Sequence, residues 1–334
     1  MKKQKKSPRP CRSAKERYKV TNWSKYNSSL IKRGRIDLWL SPKVIDHWYH
    51  QGPKSKGRQR VFSDVCIETC LCIKILYKLG YRQTQGFVES VISLGGYNLS
   101  VPGYSDLCKR SKTVKVRTKK ARKIYAGKAI TLATNSTGLK VFGEGEWKVR
   151  KHGWGKHRTW QKLHLAVETN AKLIEGSELT TNSVDDSRMV SALLGQVSRK
   201  IDSFTADGAY DTMKVYETLT DKKIKAVIPP RKGARIKKHG NSKGRTHQRD
   251  RAIRQIRKYG RKKWKKKMKY HRRSIAETTM FRYKTIVGDK LKARTFDRQK
   301  TEIKIGCKIL NIMALAGMPK SIKTKATPIR TRAA

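Results

Sequence analysis

The chain has 334 residues, with 81 Lys and Arg against 24 Asp and Glu, a formal charge of +57 and a pI near 10.5. Hydrophobic residues make up 37%, enough for a core, and the length allows two modest domains or one domain with a substantial appendage. So large a basic surplus excludes an ordinary neutral small-molecule enzyme as the default and points to a polyanion, of which nucleic acid is the commonest. A membrane surface is the rival anion, but no stretch approaches the roughly 18–20 apolar residues that a spanning helix needs. The N-terminus also lacks the apolar centre of a signal peptide, so a cytoplasmic protein is expected.

Residues 1–20 carry nine Lys and Arg and one Glu, the pattern of a flexible basic arm. From about 36 to 112 the pattern is helical, with one apolar stripe over Val61–Leu79 ending at Gly80 and a second over Thr84–Leu94 ending at Gly95 and Gly96. After the turn-rich NLSVPGYSD comes a short segment around Leu107. Two short helices with a Gly- and Pro-containing connection suggest a helix-turn-helix, whose second helix could enter a major groove. The six cysteines are Cys11, Cys66, Cys70, Cys72, Cys108 and Cys307, and they form neither a metal nor a disulfide pattern. Cys66, Cys70 and Cys72 lie in an apolar run and read as small buried thiols in a reducing environment.

The middle of the chain changes character. Short strands are expected at Ala129–Thr134, at Lys162–Glu168 with Leu163, Leu165 and Val167 inward, and at Leu173–Thr180. A helix with Met189, Val190, Leu193, Leu194 and Val197 follows, entered by Ser183 and Asp186 in a capping-box pattern. Next come a strand at Ser203–Ala206, a helix at Met213–Leu219, a strand at Lys225–Ile228 stopped by Pro229 and Pro230, and a long helix from about 248 to 287. That order predicts a mixed α/β sheet with helices packed on it. The C-terminal helix, with Ile305, Ile309, Ile312 and Met313 at helical spacing, is expected to close this core.

Between Arg231 and Arg273 there are 21 Lys and Arg against one acid, Asp250, a density that suits phosphate contact as well as a solvated helix face. Trp264 within it reads as a core anchor or as a base-stacking platform. Two acids stand out by position. Asp207 lies where a strand ends and the chain turns at Gly208, and strand C-terminal ends are where sites form in open α/β sheets. Glu277 is separated from Tyr270, Arg273 and Lys284 by helical spacings, so that all four fall within an arc of roughly 60°. One face thus offers a phenol, two cations and one carboxylate, which is either a salt-bridged surface stripe or a phosphodiester site with a metal-binding carboxylate and phosphate-binding cations.

The pattern Tyr270-x2-Arg273-x3-Glu277-x6-Lys284 reproduces the YREK signature of bacterial insertion-sequence DDE transposases. The stretches 136–153, 206–212 (ADGAYDT) and 228–234 (IPPRKGA) resemble insertion-sequence-5-type transposases, as do 22–34 and 81–90. The resemblance runs from about residue 20 to Pro319. It implies an RNase H-like α/β catalytic domain over 121–320 and an N-terminal helical DNA-binding region over 21–120, with a basic arm before and a basic tail (321–334) after them. It further implies three carboxylates holding two Mg²⁺ (or Mn²⁺) ions that activate water or a DNA 3′ hydroxyl and stabilise the leaving oxygen. Double-stranded DNA, as the element's terminal inverted repeats and the target, is the implied partner. A homodimer or higher synaptic complex, nucleoid association and no membrane contact complete the expectation. On this resemblance Arg273 and Lys284 hold phosphates and Tyr270 contacts the DNA backbone.

The departure is at the first carboxylate. Where the family has Asp immediately before STGLK, this chain has Asn135, 72 residues before Asp207, which is itself 70 residues before Glu277. Asn offers a carbonyl oxygen but no charge, and no Asp or Glu lies within eight residues on either side. The sequence therefore supports two readings: a transposase impaired by Asn135, or a catalytically dead DNA-binding protein that inhibits active relatives through mixed complexes. A basic RNA-binding or ribosome-associated protein would account for the charge but not for the one-faced arrangement around Glu277.

Overall fold

In the computed structural model, residues 17–53, 59–116, 129–141, 160–237 and 247–324 are described. Residues 1–16 of the basic arm, 325–334 of the tail, 142–153 of the family-like stretch, 238–246 of the basic run and the expected boundary at 120–121 lie outside the described residues. In chain order the helical half contains β1 (Arg17–Val20), α1 (Trp23–Gly34), α2 (Pro42–Asp46), α3 (Asp64–Leu76), α4 (Tyr81–Leu94) and α5 (Tyr104–Arg110). There follow β2 (Ile130–Val141), β3 (Trp160–Glu168), β4 (Ile174–Thr181), α6 (Val190–Gly195), β5 (Ile201–Thr205), α7 (Met213–Asp221) and β6 (Lys225–Val227). The last are α8 (Gln248–Tyr259), α9 (Arg261–Lys267), α10 (Ser274–Ile286), β7 (Lys290–Leu291), α11 (Phe296–Ala316) and β8 (Ser321–Thr324).

These elements fall into two compact units, residues 1–35 with 316–334, and residues 36–315. In the first, β1 pairs antiparallel with β8 from Arg17↔Thr324 to Val20↔Ser321. Thr21 N–H donates to the Lys320 carbonyl at 2.8 Å, and the Asn22 side chain donates to Met318 O at 3.1 Å while accepting from Lys320 N at 2.7 Å. Residues 17–20 and 321–324, expected as the ends of a free arm and tail, are thus a two-stranded ladder. Charge pattern identifies solvation but is blind to such backbone pairing.

In the second unit α3 reads VCIETCLCI, apolar but for Glu68 and Thr69, and Cys66–Ile73 are all buried, as a helix hydrophobic nearly all round must be. Ser63 caps it, its hydroxyl accepting from Cys66 N at 3.0 Å. Cys66, Cys70 and Cys72 are free buried thiols; burial pushes Cys66 up strongly and Cys72 to about 12, so both stay protonated. On α11, Ile305, Ile309 and Met313 pack with Trp48, Ile67, Val88 and Leu107 of the helical layer, while Ile303, Cys307 and Leu310 pack on the sheet. The helical layer and the sheet therefore share α11.

The sheet order is β4-β3-β2-β5-β6, antiparallel from β4 to β2 and parallel from β2 to β6, with β7 beside the far end of β2. This is the RNase H-like arrangement. Ala133, Leu139, Leu163, Leu165 and Val167 face α10 and α11, whereas Ile130, Leu132 and Phe204 face α6 and α7. Three expectations are corrected. First, β2 runs to Val141 rather than stopping at Thr134, because β3 pairs with it as far as Lys140↔Trp160; Asn135 therefore lies inside a strand. Second, 248–287 is not one helix: it breaks at Gly260 (φ 79, ψ 152) and at Lys269 (φ 53), giving α8, α9, a 3-10 turn Tyr270–Arg273 and α10. Third, no capping box forms at Ser183, whose hydroxyl pairs with that of Thr181 at 3.0 Å while Asp186 turns toward β2. Trp264 is buried and donates from Nε1 to Gln255 at 3.1 Å, so it is a core anchor and not a stacking platform.

Candidate active site

The last parallel pair between β2 and β5 is Ala133↔Thr205, and β7 takes up β2 again at Lys140. Between these pairings lie Thr134–Leu139, beside the point where β5 ends. The chain leaves β5 through Ala206 and turns at Asp207, whose Oδ1 accepts from Ala209 N at 2.9 Å and so starts the 3-10 turn Gly208–Tyr210. Turn-forming and side-chain presentation are therefore compatible at Asp207, since Oδ2 is left to point elsewhere.

It points to Arg273. Nη1 of Arg273 lies 3.6 Å from Asp207 Oδ2, and Nη2 is hydrogen-bonded to Glu277 Oε1 in the first turn of α10. One guanidinium thus joins two carboxylates that are distant in sequence; the side chains of Arg273, Asp207 and Glu277 are 20%, 37% and 48% exposed. The buried side of α10 carries Ala276, Thr279, Met280 and Tyr283, which leaves Glu277 and Lys284 together on its flank. Tyr270 is half-buried under Lys265, whose Nζ is 5.0 Å from the ring centroid. Burial raises the Tyr270 phenol, Arg273 opposes, and the charges of Asp207 and Glu277 add to the rise, which places all four groups in one electrostatic cluster.

Asn135 is half-buried on β2, opposite Leu165 of β3. Strand alternation puts it on the face of Ala133 and Leu139, the face that α10 covers and the one from which Glu277 comes. The next residue, Ser136, donates to Asp186 Oδ2 at 2.7 Å, and Lys162 Nζ is 3.5 Å from Asp186 Oδ1. An acid thus stands beside the first-carboxylate position after all, against the expectation from neighbours in sequence; it comes from 50 residues away, and it is on the opposite face of β2 from Asn135. Tyr210, fully buried, lies within electrostatic reach of both acids: burial raises its hydroxyl, and Asp186 and Asp207 raise it further while Arg273 opposes. No sequence signal marked Asp186 except its reading as a cap.

Part of the basic run is structural. Arg249 is ion-paired to buried Asp211 at 2.8 Å, Arg231 donates to Gly208 O at 3.0 Å and Ala209 O at 3.3 Å, and Arg261 donates to Pro230 O at 2.7 Å. These arginines hold the loops next to Asp207 in place. Lys262, Lys263, Lys266, Lys267 and Lys269 are exposed.

Among the described residues no group of three His, Cys, Asp or Glu side chains is placed to hold a metal ion. Asp207 and Glu277 offer carboxylate oxygens and Asn135 a neutral amide oxygen. This set fits a hard divalent cation in donor type and is one negative charge short.

Residues 126–312 match a family described as Transposase DDE domain, and residues 31–144 match a second family of the same description. The first match covers more than half of the chain, which belongs to the DDE transposase family, enzymes of DNA cleavage and strand transfer that typically use divalent metal ions. The chain is also similar to a piggyBac transposase in a synaptic complex with hairpin DNA, at 10% identity over 90% of this chain and 78% of that one, with a TM-score of 0.38. A Drosophila P element transposase strand transfer complex is similar at 12% identity over 61% of this chain and 47% of that one, with a TM-score of 0.30. No described helix is long and apolar enough to cross a membrane.

Proposed function

We propose that this transposase binds the terminal inverted repeats of an insertion sequence through its 21–120 region and processes them at Asn135, Asp207 and Glu277 in the 121–320 region. The convergence of Asp207 and Glu277 on Arg273, in a chain of this family, carries the reading. Asp207, Glu277 and the Asn135 amide would hold divalent ions, Mg²⁺ or Mn²⁺. An ion bound there would acidify a water or 3′ hydroxyl and take up charge on the leaving oxygen of an in-line displacement at phosphorus. Lys284 and Arg273 bind phosphates, the latter able to fork onto two oxygens, and Tyr270 hydrogen-bonds the backbone. Since two element ends are processed together, the working form is a homodimer or a higher synaptic complex.

Asn135 favours a second reading of this chain: binding without cutting, with inhibition of active relatives. Supercoiled plasmid carrying the element's ends, incubated with the Asn135→Asp chain and Mg²⁺ or Mn²⁺, tests the site. Nicking should appear and should vanish on adding Asp207→Asn or Glu277→Gln; nicking that survives either change would refute the assignment. The unaltered chain, mixed with Asn135→Asp, should lower nicking if the inhibitor reading holds.

A further inference from the structure

The guanidinium of Arg273 sits between the two carboxylates assigned above to metal binding, with its two terminal nitrogens directed one to each. Arginine keeps its charge at any pH a protein tolerates, so it cannot be neutralised in place when another cation arrives. It has to leave. Resting on the metal-site reading, we propose that Arg273 is the resident counter-ion of the Asp207–Glu277 pair, that divalent metal and Arg273 compete for the same oxygens, and that the displaced guanidinium becomes the phosphate ligand. Metal and DNA binding are thereby coupled through one side chain.

Three features support the exchange. The pair carries two negative charges and Arg273 one positive charge, so the cluster retains a single negative charge, and uncharged Asn135 does not add to it. Arg273 precedes α10 in a short 3-10 turn, begun by Lys269 in the left-handed conformation, while Glu277 is on the helix proper. The arginine can therefore change rotamer without moving the carboxylate that the metal needs. The surroundings then favour an anion beside the released group, since Lys265 lies over Tyr270 and Lys284 shares the flank of α10. Because linkage is reciprocal, metal must strengthen DNA binding by the factor by which DNA strengthens metal binding.

The test uses the full chain and reads binding, not catalysis. Mn²⁺ affinity is measured by electron paramagnetic resonance of free Mn²⁺, and folding of each variant by circular dichroism and thermal melting. Arg273→Gln should bind Mn²⁺ about tenfold more tightly than the unaltered chain, within the usual range of coupling, and Arg273→Lys should fall between the two because a lysine cannot span both carboxylates. The tight site should be lost in Arg273→Gln/Asp207→Asn. Mn²⁺ at constant ionic strength should tighten binding of a fluorescent DNA duplex by the unaltered chain several-fold more than by Arg273→Gln. Unchanged or weaker Mn²⁺ affinity in Arg273→Gln, with the Asp207-dependent site intact, would overturn the counter-ion proposal alone. Absence of an Asp207-dependent Mn²⁺ site in both the unaltered and the Asn135→Asp chains would overturn it together with the metal-site reading.

Discussion

Asn135→Asp is nearly isosteric and adds one charge on the α10-facing side of β2. The charges of Asp207, Glu277 and Arg273 sum to one negative unit, and the substitution raises this to two. A unit charge about 4 Å from another is worth about 4 kcal/mol at an effective dielectric constant of 20, and the partial exposure of Asp207 and Glu277 reduces that. Loss of one preorganised electrostatic stabiliser elsewhere lowers rates about 10²–10³-fold, or about 2.7–4 kcal/mol. The substitution should therefore raise the single-turnover nicking rate on supercoiled plasmid by roughly 100- to 1000-fold. Equal rates would refute the reasoning, and the most direct rival is Asp186, the acid that Ser136 holds beside this position. If Asp186 supplied the missing charge, the unaltered chain would cut and Asp186→Asn would silence it.

The remaining predictions concern the framework. Glu68 on α3 is ion-paired to Lys308 on α11, with side chains 4% and 14% exposed; Glu68→Gln or Lys308→Met alone should lose about 3–5 kcal/mol in urea unfolding, whereas the double change Glu68→Leu/Lys308→Met should lose far less. Gly260 has φ 79 and ψ 152, a region open essentially to glycine alone, so Gly260→Ala should lower stability by about 1–3 kcal/mol and a normal melting temperature would count against the break between α8 and α9. His164 is fully buried and donates to or accepts from Thr180 Oγ1 at 2.8 Å. Burial holds its pKa below the usual value near 6.5, with Asp186 opposing and Lys162 assisting. The unfolded chain therefore binds the proton first: the stabilising contribution is complete above about pH 6.5 and falls as pH drops toward the folded-state pKa. Denaturation midpoints at about pH 7.5 and 5.5 should differ more in the unaltered chain than in His164→Gln, and equal differences would refute the assignment.

Much of the architecture was legible because periodicity reports burial. Leu163, Leu165 and Val167 alternate as one buried strand face, and Ile305, Ile309 and Met313 recur at helical spacing on one side of α11. The break at Lys269 was not legible, because the residues around it are strong helix formers and only a backbone angle marks it; at the first break Gly260, a weak helix former, was the one local sign. The second half of β2 was missed for a related reason. Asn135, Ser136, Thr137 and Gly138 lack apolar alternation and are held extended by pairing with β3.

The sequence by itself determined the chemistry that the chain can bring. Its charge excess points to a polyanion, and helical spacing puts Glu277 and Lys284 on one flank of α10, since helical geometry is a local property, while Tyr270 and Arg273 belong to the 3-10 turn before it. Proximity across the chain was decided only by the tertiary structure. The end of β5 brings Asp207 to Arg273, and the turn after β4 brings Asp186 to the strand residue next to Asn135. Sheet order, and not distance along the chain, determines which charges can feel one another.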